Sequence, residues 1–205
     1  MNALLKNIWR YPIKSHGREE LSEIFLSENS TIPYDRCWAV AHEDSKADHT
    51  TWSECVNFSR GAKAPKLMAI NASLNTVSEK VTLTHPELDT ITVHPEENSD
   101  ELIKWVSPLM PSNRSQSERV VRVNDRGMTD TEYPSVSINN LSSHQAVERE
   151  LGHSLDSRRW RGNLWLEGLE DWEEFNWVGK KIIIGDCEIE IMEPIQRCMA
   201  TTANP

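Results

Sequence analysis

Glu193-Pro-Ile-Gln-Arg-Cys-Met-Ala-Thr-Thr-Ala-Asn-Pro205 is the stretch on which the reading of this chain turns. The run before it, residues 182–192, reads as a β-hairpin: an apolar segment, a Gly185-Asp186 turn, then Cys187, Ile189 and Ile191 alternating with Glu188 and Glu190. The second strand must stop at Glu193-Pro194, because proline cannot donate to a sheet ladder. The chain therefore leaves the sheet there and delivers Arg197-Cys198 into irregular backbone at the sheet's rim, a common place for reactive groups. Arg197 puts a positive charge beside Cys198 and favours the thiolate, the form of cysteine that binds metals or attacks electrophiles. The competing account of Cys198 is a small buried hydrophobe, which is what an unpaired cysteine in a reducing compartment usually is.

Working outward from this segment, the bulk composition limits the classes of function. A chain of 205 residues with 38% hydrophobic content and eight Trp can build one large domain, or two small ones sharing a core. Lys and Arg number 22 against 32 Asp and Glu, a net charge of -10. Affinity for nucleic acid or for an anionic membrane rests on a positive surface, so neither is an expected partner. No apolar run approaches the ~18 residues of a membrane span, and the start of the chain has no signal-peptide apolar region. A soluble cytoplasmic protein is expected. Cysteines at 37, 55, 187 and 198 show no Cys-x-x-Cys spacing, and the seven histidines are scattered, so no zinc ribbon or iron–sulfur site is written in the spacing.

In the first half, residues 3–9 read as a strand broken by Pro12, and residues 21–26 as a second. Lys14 and Ser15 follow the first strand on a turn that Gly17 helps to close. Such a pair can hold a phosphate, the Lys as a point charge and the Ser as a donor, or can simply be a solvated loop. Residues 35–41 read as a strand opened by the charged pair Asp35-Arg36, which can be a structural ion pair or an anion contact. Residues 47–65, polar and aperiodic, read as an excursion holding Cys55. Residues 81–84 and 90–93 alternate as strands around a hairpin-like connection. Ser99 is placed as the cap of a short helix over 100–106, ended by Pro108 and Pro111. The polar run 112–117 marks the domain boundary, and residues 120–123 restart β structure.

The second half opens with a strand over 134–138. Ser142 with Gln145 fits a capping box, and Gly152 fits the position just past a helix over 143–151. A helix start also suits an anion. Arg158, Arg159 and Arg161 form the dense basic cluster of an acidic protein; either an anion sits between them, or the acids at 167–174 compensate. Trp160, Trp165, Trp172 and Trp177 can line a funnel or pack against the sheet.

Three motifs in fixed order, Tyr11-Pro-Ile-Lys-Ser15, Arg161-Gly-Asn-Leu-Trp-Leu-Glu-Gly-Leu-Glu170 and the terminal Arg-Cys-Met-Ala-Thr-Thr-Ala-Asn-Pro, resemble the MOSC family, proteins related to the C-terminal domain of molybdenum cofactor sulfurase. The resemblance covers nearly the whole chain and is similar to that of the amidoxime-reducing MOSC proteins. It implies an α+β, mainly β architecture. A MOSC N-terminal β-barrel-like segment would span 1–112, and a MOSC β-barrel domain with short helices 113–205, ending short of the family's usual C-terminus. It also implies the site. Lys14 and Ser15 would contact the pterin of the molybdenum cofactor (molybdopterin), Arg36 its phosphate, and Arg161 and Asn163 its edge. Ser142 would lie close by, and Cys198 would be both the metal ligand and the catalytic residue. Arg159 would have a supporting role. A pyridoxal phosphate association also attaches to the family. The activity implied is reduction of a small N-hydroxylated or sulfur-containing substrate, with an external electron-donor protein because the chain encodes no flavin or iron–sulfur motif. Two alternatives stay open: a sulfur carrier using a Cys198 persulfide, and a cofactor-binding module without turnover.

Overall fold

A computed structural model describes residues 3–124, 126–203 and 205. Asn204 of the terminal motif lies outside them. The first half contributes strands β1 (Leu4–Arg10), β2 (Ile13–Lys14), β3 (Glu19–Leu21), β4 (Trp38–His42), β5 (Asn71–Asn75), β6 (Lys80–His85) and β7 (Leu88–Val93), then helix α1 (Ser99–Val106). After it come β8 (Ser117–Arg122), β9 (Ile138–Asn140), α2 (Leu141–Leu151), β10 (Leu164–Glu167), β11 (Lys181–Ile184) and β12 (Cys187–Glu190). The fold is mainly β with two α-helices, as expected. Its sheets run β3-β1-β10-β9, β2-β4-β8, β5-β6-β7 and β11-β12, and none closes on itself among the described residues.

Two of these sheets join the halves of the chain. β1 pairs antiparallel with β10, and β4 with β8. Beneath β4 and β8, Trp38, Val40, Leu67, Ile70, Val81, Leu83, Leu102 and Val106 form the largest apolar core. The alternating burial of β6 delivers Val81 and Leu83 into it while Thr82 faces outward against Thr92. A second core of Ala39, Ala41, Phe58, Val121 and Met128 lies on the other face of β4. A third unites Ile8, Ile32 and Leu164, with Ile184 and Ile189 of the terminal hairpin against it.

Several local expectations are corrected. The strand read at 21–26 is instead β3, ending at Leu21: its ladder to β1 runs from Arg10–Glu19 to Ile8–Leu21, and Ile24 and Leu26 pack on the third core without a ladder. The strand read at 35–41 starts at Trp38, because Arg36 has φ 53, a left-handed backbone no ladder accommodates. Ser99 does not cap α1. Asn98 holds the cap position, and the Ser99 hydroxyl accepts a bond from the Val120 N–H at 3.1 Å, a tertiary link in place of a local one. The strand read at 134–138 is β9, which starts at the last residue of that run and ends at Asn140. β5, flanked by Asn71 and Asn75, carried no strand signal of its own and is formed by pairing with β6. The terminal hairpin, its Gly185 turn with φ 59, and the irregular backbone after it are as read.

Candidate functional site

Tyr11 is the hub of the site. It is wholly buried between β1 and β2 and is held at three points. Its N–H donates to Asp35 Oδ1 at 2.8 Å, its carbonyl accepts from the Arg36 N–H at 2.7 Å, and its hydroxyl donates to the Gly162 carbonyl at 3.0 Å. Two guanidinium groups lie over its ring, Arg36 at 4.7 Å and Arg161 at 4.2 Å from the centroid. Burial pushes the Tyr11 hydroxyl up to about 12, against the pull of the Arg161 and Arg36 charges. Two arginines distant in sequence are thus brought to one ring.

The cations here outnumber the anions. Arg36 pairs with buried Asp35, and its Nη2 donates to the Arg161 carbonyl at 3.0 Å. Lys14 Nζ, on a side chain 6% exposed, reaches the Met128 carbonyl at 2.6 Å and Asp130 Oδ1 at 2.5 Å. Burial lowers the Lys14 pKa, and the Asp130 charge opposes that shift. Asp130 itself is held below the usual carboxylate range: burial works to raise it and is outweighed by Lys14, with Arg36 and Arg161 adding. Arg18 is buried and gives Nη1 to the Met68 carbonyl, while its Nε finds no partner. Arg161 gives Nη2 to the Gly17 carbonyl at 3.3 Å, and its Nη1 is buried and unpartnered. Burial, with Arg36 and Arg18 nearby, lowers the Arg161 pKa to about 10, so it stays charged at neutral pH. Four cations, Lys14, Arg18, Arg36 and Arg161, face Asp35 and Asp130; Arg18 also faces the Arg158–Asp156 ion pair, which adds no net charge.

The backbone at this cluster is held in a costly form. Ser15, Arg36 and Arg161 all have left-handed backbone, with φ of 63, 53 and 50. Each costs on the order of 1–2 kcal/mol for a non-glycine residue, so the surrounding bonds must enforce it. Gly127 is required by close approach: a Cβ there would lie 2.2 Å from the Asp35 carbonyl oxygen. That approach lets Met128 N–H bond the Arg36 carbonyl at 2.7 Å and brings Asp130 to Lys14.

Cys198 stands at the other end of the same unit. It is exposed, in extended backbone before a short 3-10 turn, Met199–Thr202. Arg197 links it to the cluster by donating to the Trp160 carbonyl, the residue before Arg161, and it lies within electrostatic reach of Tyr11. Arg159 ties the 3-10 turn back through the Thr201 carbonyl at 3.2 Å. Among the described residues no group of three His, Cys, Asp or Glu side chains converges in a way that could hold a metal.

The other expected residues have different surroundings. Ser142 does not cap α2; Asn140 does, accepting from the Ser142 N–H at 2.9 Å, and the Ser142 hydroxyl donates to the Leu169 carbonyl at 2.6 Å. The helix begins two residues earlier than the capping-box pattern implies, so Ser142 falls inside the first turn. Asn163 is 1% exposed, and its amide is engaged in the fold, donating to the Trp9 carbonyl at 3.0 Å and accepting from Ser137. Ser15 is half-buried beside Lys14. The tryptophans divide: Trp165 is core, Trp160 and Trp177 are half-buried, and Trp172 is exposed. Tyr11, Arg18, Asp130 and Asn139 were not read as site residues; Tyr11 alone had a signal, its place in the Tyr-Pro-x-Lys-Ser motif.

The best-formed surface clefts lie elsewhere, one of about 340 Å³ between α1 and the start of β8 and one of about 470 Å³ along β1 and β3. Neither gathers a comparable set of charges. No helix among the described residues is long and apolar enough to cross a membrane. A search of curated proteins found no match. Two family models cover the chain, the MOSC N-terminal beta barrel domain over residues 2–120 and the MOSC domain, a type associated with molybdenum-cofactor binding, over residues 128–205. The chain belongs to the MOSC family.

Proposed function

We propose that this chain binds the molybdenum cofactor (molybdopterin), with its phosphate end against Lys14, Ser15, Arg36 and Arg161 and its metal on the Cys198 thiolate, and that it reduces small N-hydroxylated compounds. One observation carries the reading. The surplus of buried cations, including an Arg161 Nη1 without a partner, belongs to the same hydrogen-bonded unit as Arg197-Cys198. Uncompensated buried charge is costly unless an anion completes it, and an anion beside a soft sulfur donor suits this group. The cofactor, when bound, supplies two-electron oxygen-atom chemistry at molybdenum.

The protein's own part is binding and orientation. Arg161 and Arg36 offer planar guanidinium donors to phosphate oxygens, and Lys14 a point charge held in place by Asp130 and Met128. Asn163 supports the site from within the sheet, holding β1 against the turn that carries Arg161. Ser142 supports it through the Leu169 contact. The net reaction takes an N–OH substrate, two electrons and two protons to N–H and water; the electrons come from an external donor protein.

Metal analysis tests this directly. With protein from a host that makes molybdopterin, about one molybdenum per chain is expected. It should be absent in Cys198→Ser and greatly reduced in Arg161→Ala, and the loaded protein should consume an aromatic amidoxime when given a reduced dye. No molybdenum in the unsubstituted chain would sink the reading. The exposure of Cys198 favours a second reading, sulfur carriage, for which cyanide-labile sulfur on Cys198 is the signature.

A further inference from the structure

Arg197 has no carboxylate among its hydrogen-bond partners, yet it is tightly held. Its Nη1 donates to the Trp160 carbonyl at 2.9 Å, its Nη2 to Asn139 Oδ1 at 2.6 Å, and its guanidinium lies 5.4 Å from the Trp160 ring centroid. Each element of that clamp is itself fixed. Trp160 Nε1–H donates to His144 Nδ1 at 2.9 Å, and the His144 ring stands edge-on to both Trp160 and Trp165. An indole N–H can only donate, so His144 Nδ1 is an acceptor and the proton of its neutral ring sits on Nε2, which faces Glu148 at 3.6 Å. Asn139 is 6% exposed, and its Nδ2 is buried without a partner. A Cβ on Gly162 would lie 1.4 Å from that atom, so only glycine there admits Asn139. An amide held in such confinement with half its hydrogen-bonding capacity unused has its acceptor oxygen as its evident contribution.

We propose that Asn139 and Trp160 are positioning residues for Cys198: they clamp Arg197 so that its charge stays beside the sulfur, and His144 fixes the Trp160 ring that forms one wall of the clamp. The inference rests on Cys198 being the working sulfur of the site. Charge from an arginine on a free segment would be averaged by rotamer motion and screened; a clamped one acts at a fixed distance on whatever anionic group approaches. The segment that carries Cys198 has little burial of its own; the clamp joins it to β9 and, together with the Arg159 bond to the Thr201 carbonyl, to the Ser157–Trp160 turn.

Alkylation of Cys198 reads the clamp without reference to molybdenum. Protein made in a host lacking the pterin pathway is treated with iodoacetate, an anion, or with neutral iodoacetamide, and modification of the Cys198 peptide is followed by mass spectrometry. The ratio of the two rates reports positive charge at the sulfur. Arg197→Gln should lower it on the order of threefold, the effect of removing one unit charge from the residue next to the sulfur in water-like surroundings. Asn139→Leu and Trp160→Leu, which keep Arg197, should lower it nearly as far, whereas Trp160→Phe, which keeps an aromatic face but loses the bond to His144 Nδ1, should fall between. Circular dichroism identifies any variant that does not fold. A ratio unchanged in folded Asn139→Leu and Trp160→Leu overturns the clamp, and a ratio unchanged in Arg197→Gln overturns any action of Arg197 on Cys198. Failure of the molybdenum assay with these ratios as expected would overturn the metal site and leave the clamp standing.

Discussion

The Tyr11 cluster and the Cys198 segment belong to one hydrogen-bonded unit but are held in opposite ways. Around Tyr11 the groups are multiply bonded, Tyr11, Lys14, Arg18 and Asp35 are buried with Arg36 and Arg161 half-buried, and three residues adopt left-handed backbone that the fold must enforce. Around Cys198 the chain is exposed from Met192 to Met199, with Arg197 as its principal tether. The difference fits the proposed roles of the two ends. A recognition surface for a charged group gains from being built before the ligand arrives, because the ordering is then complete at binding. A sulfur that must accept a metal, a substrate or a sulfur atom needs access, and rigidity comes to it second-hand through Arg197.

The sharpest way to break this comparison is to remove the carboxylate from the buried end. Asp35 is 1% exposed, pairs with Arg36 and accepts the Tyr11 N–H. Asp35→Ala leaves the Arg36 charge without its paired carboxylate and the Tyr11 N–H without its acceptor, in a cluster that already has two more cations than anions. A loss of about 3–5 kcal/mol is expected in urea unfolding. Added inorganic phosphate should restore part of it if the pocket takes an anion, since a ligand bound only by the folded state stabilises it.

A second effect, smaller and set by pH, belongs to the same end. His16 is wholly buried, its Nδ1 on the Lys14 carbonyl at 2.8 Å and its Nε2 without a partner. Burial depresses it from 6.5 to about 4, with Arg161 adding to that shift and the Lys14 carbonyl opposing it. Between those values the unfolded chain binds the proton and the folded chain does not, so stability rises with pH through this window. The full benefit is present above about 6.5 and is lost as the solution is taken down to pH 4, a contribution of about 3 kcal/mol from the depression of this one imidazole. In His16→Met, unfolding curves across pH 4 to 6.5 should be flatter by that amount; an identical slope in both proteins would show that His16 does not carry the effect.

How much of this was legible in the chain depends on where each residue's partners lie. The terminal hairpin, the helix ending at Gly152 and the 81–93 strand pair follow from periodicity and turn chemistry within a few residues, and all three are present. β5 and the true cap of α2 are decided by partners outside the local pattern: β6 for the one, and for the other the Leu169 carbonyl that draws away the Ser142 hydroxyl. The site divides along the same line. Lys14 and Arg161 stand in motifs and Arg36 in the charged pair that opens its strand reading, and the fold does bring these three together. Asp130 lies 116 positions from the lysine it binds, and Asn139 lies 58 from the arginine it holds, with nothing in either neighbourhood to mark them. Arg36 illustrates the limit within one residue: its charge was readable, but its left-handed backbone, imposed by bonds to Tyr11 and Met128, was not.

The smallest expected effect is at Cys198 itself, and it sharpens the comparison because it separates stability from function. The side chain is exposed and buries no apolar surface, and its carbonyl accepts the Thr201 N–H and hydroxyl, bonds that do not involve the sulfur. Cys198→Ser changes one exposed atom and leaves every hydrogen bond of Arg197 in place. Surface substitutions of this kind stay within about 0.5 kcal/mol, so the unfolding midpoint should be indistinguishable from that of the unsubstituted chain when both are free of cofactor. If the sulfur holds a metal in the folded state alone, the two proteins should part company once cofactor is supplied, because only the cysteine form gains stability from binding. A large loss in the cofactor-free comparison would mean that the sulfur is packed into the fold, and the contrast between a built pocket and an open sulfur would fail at its open end.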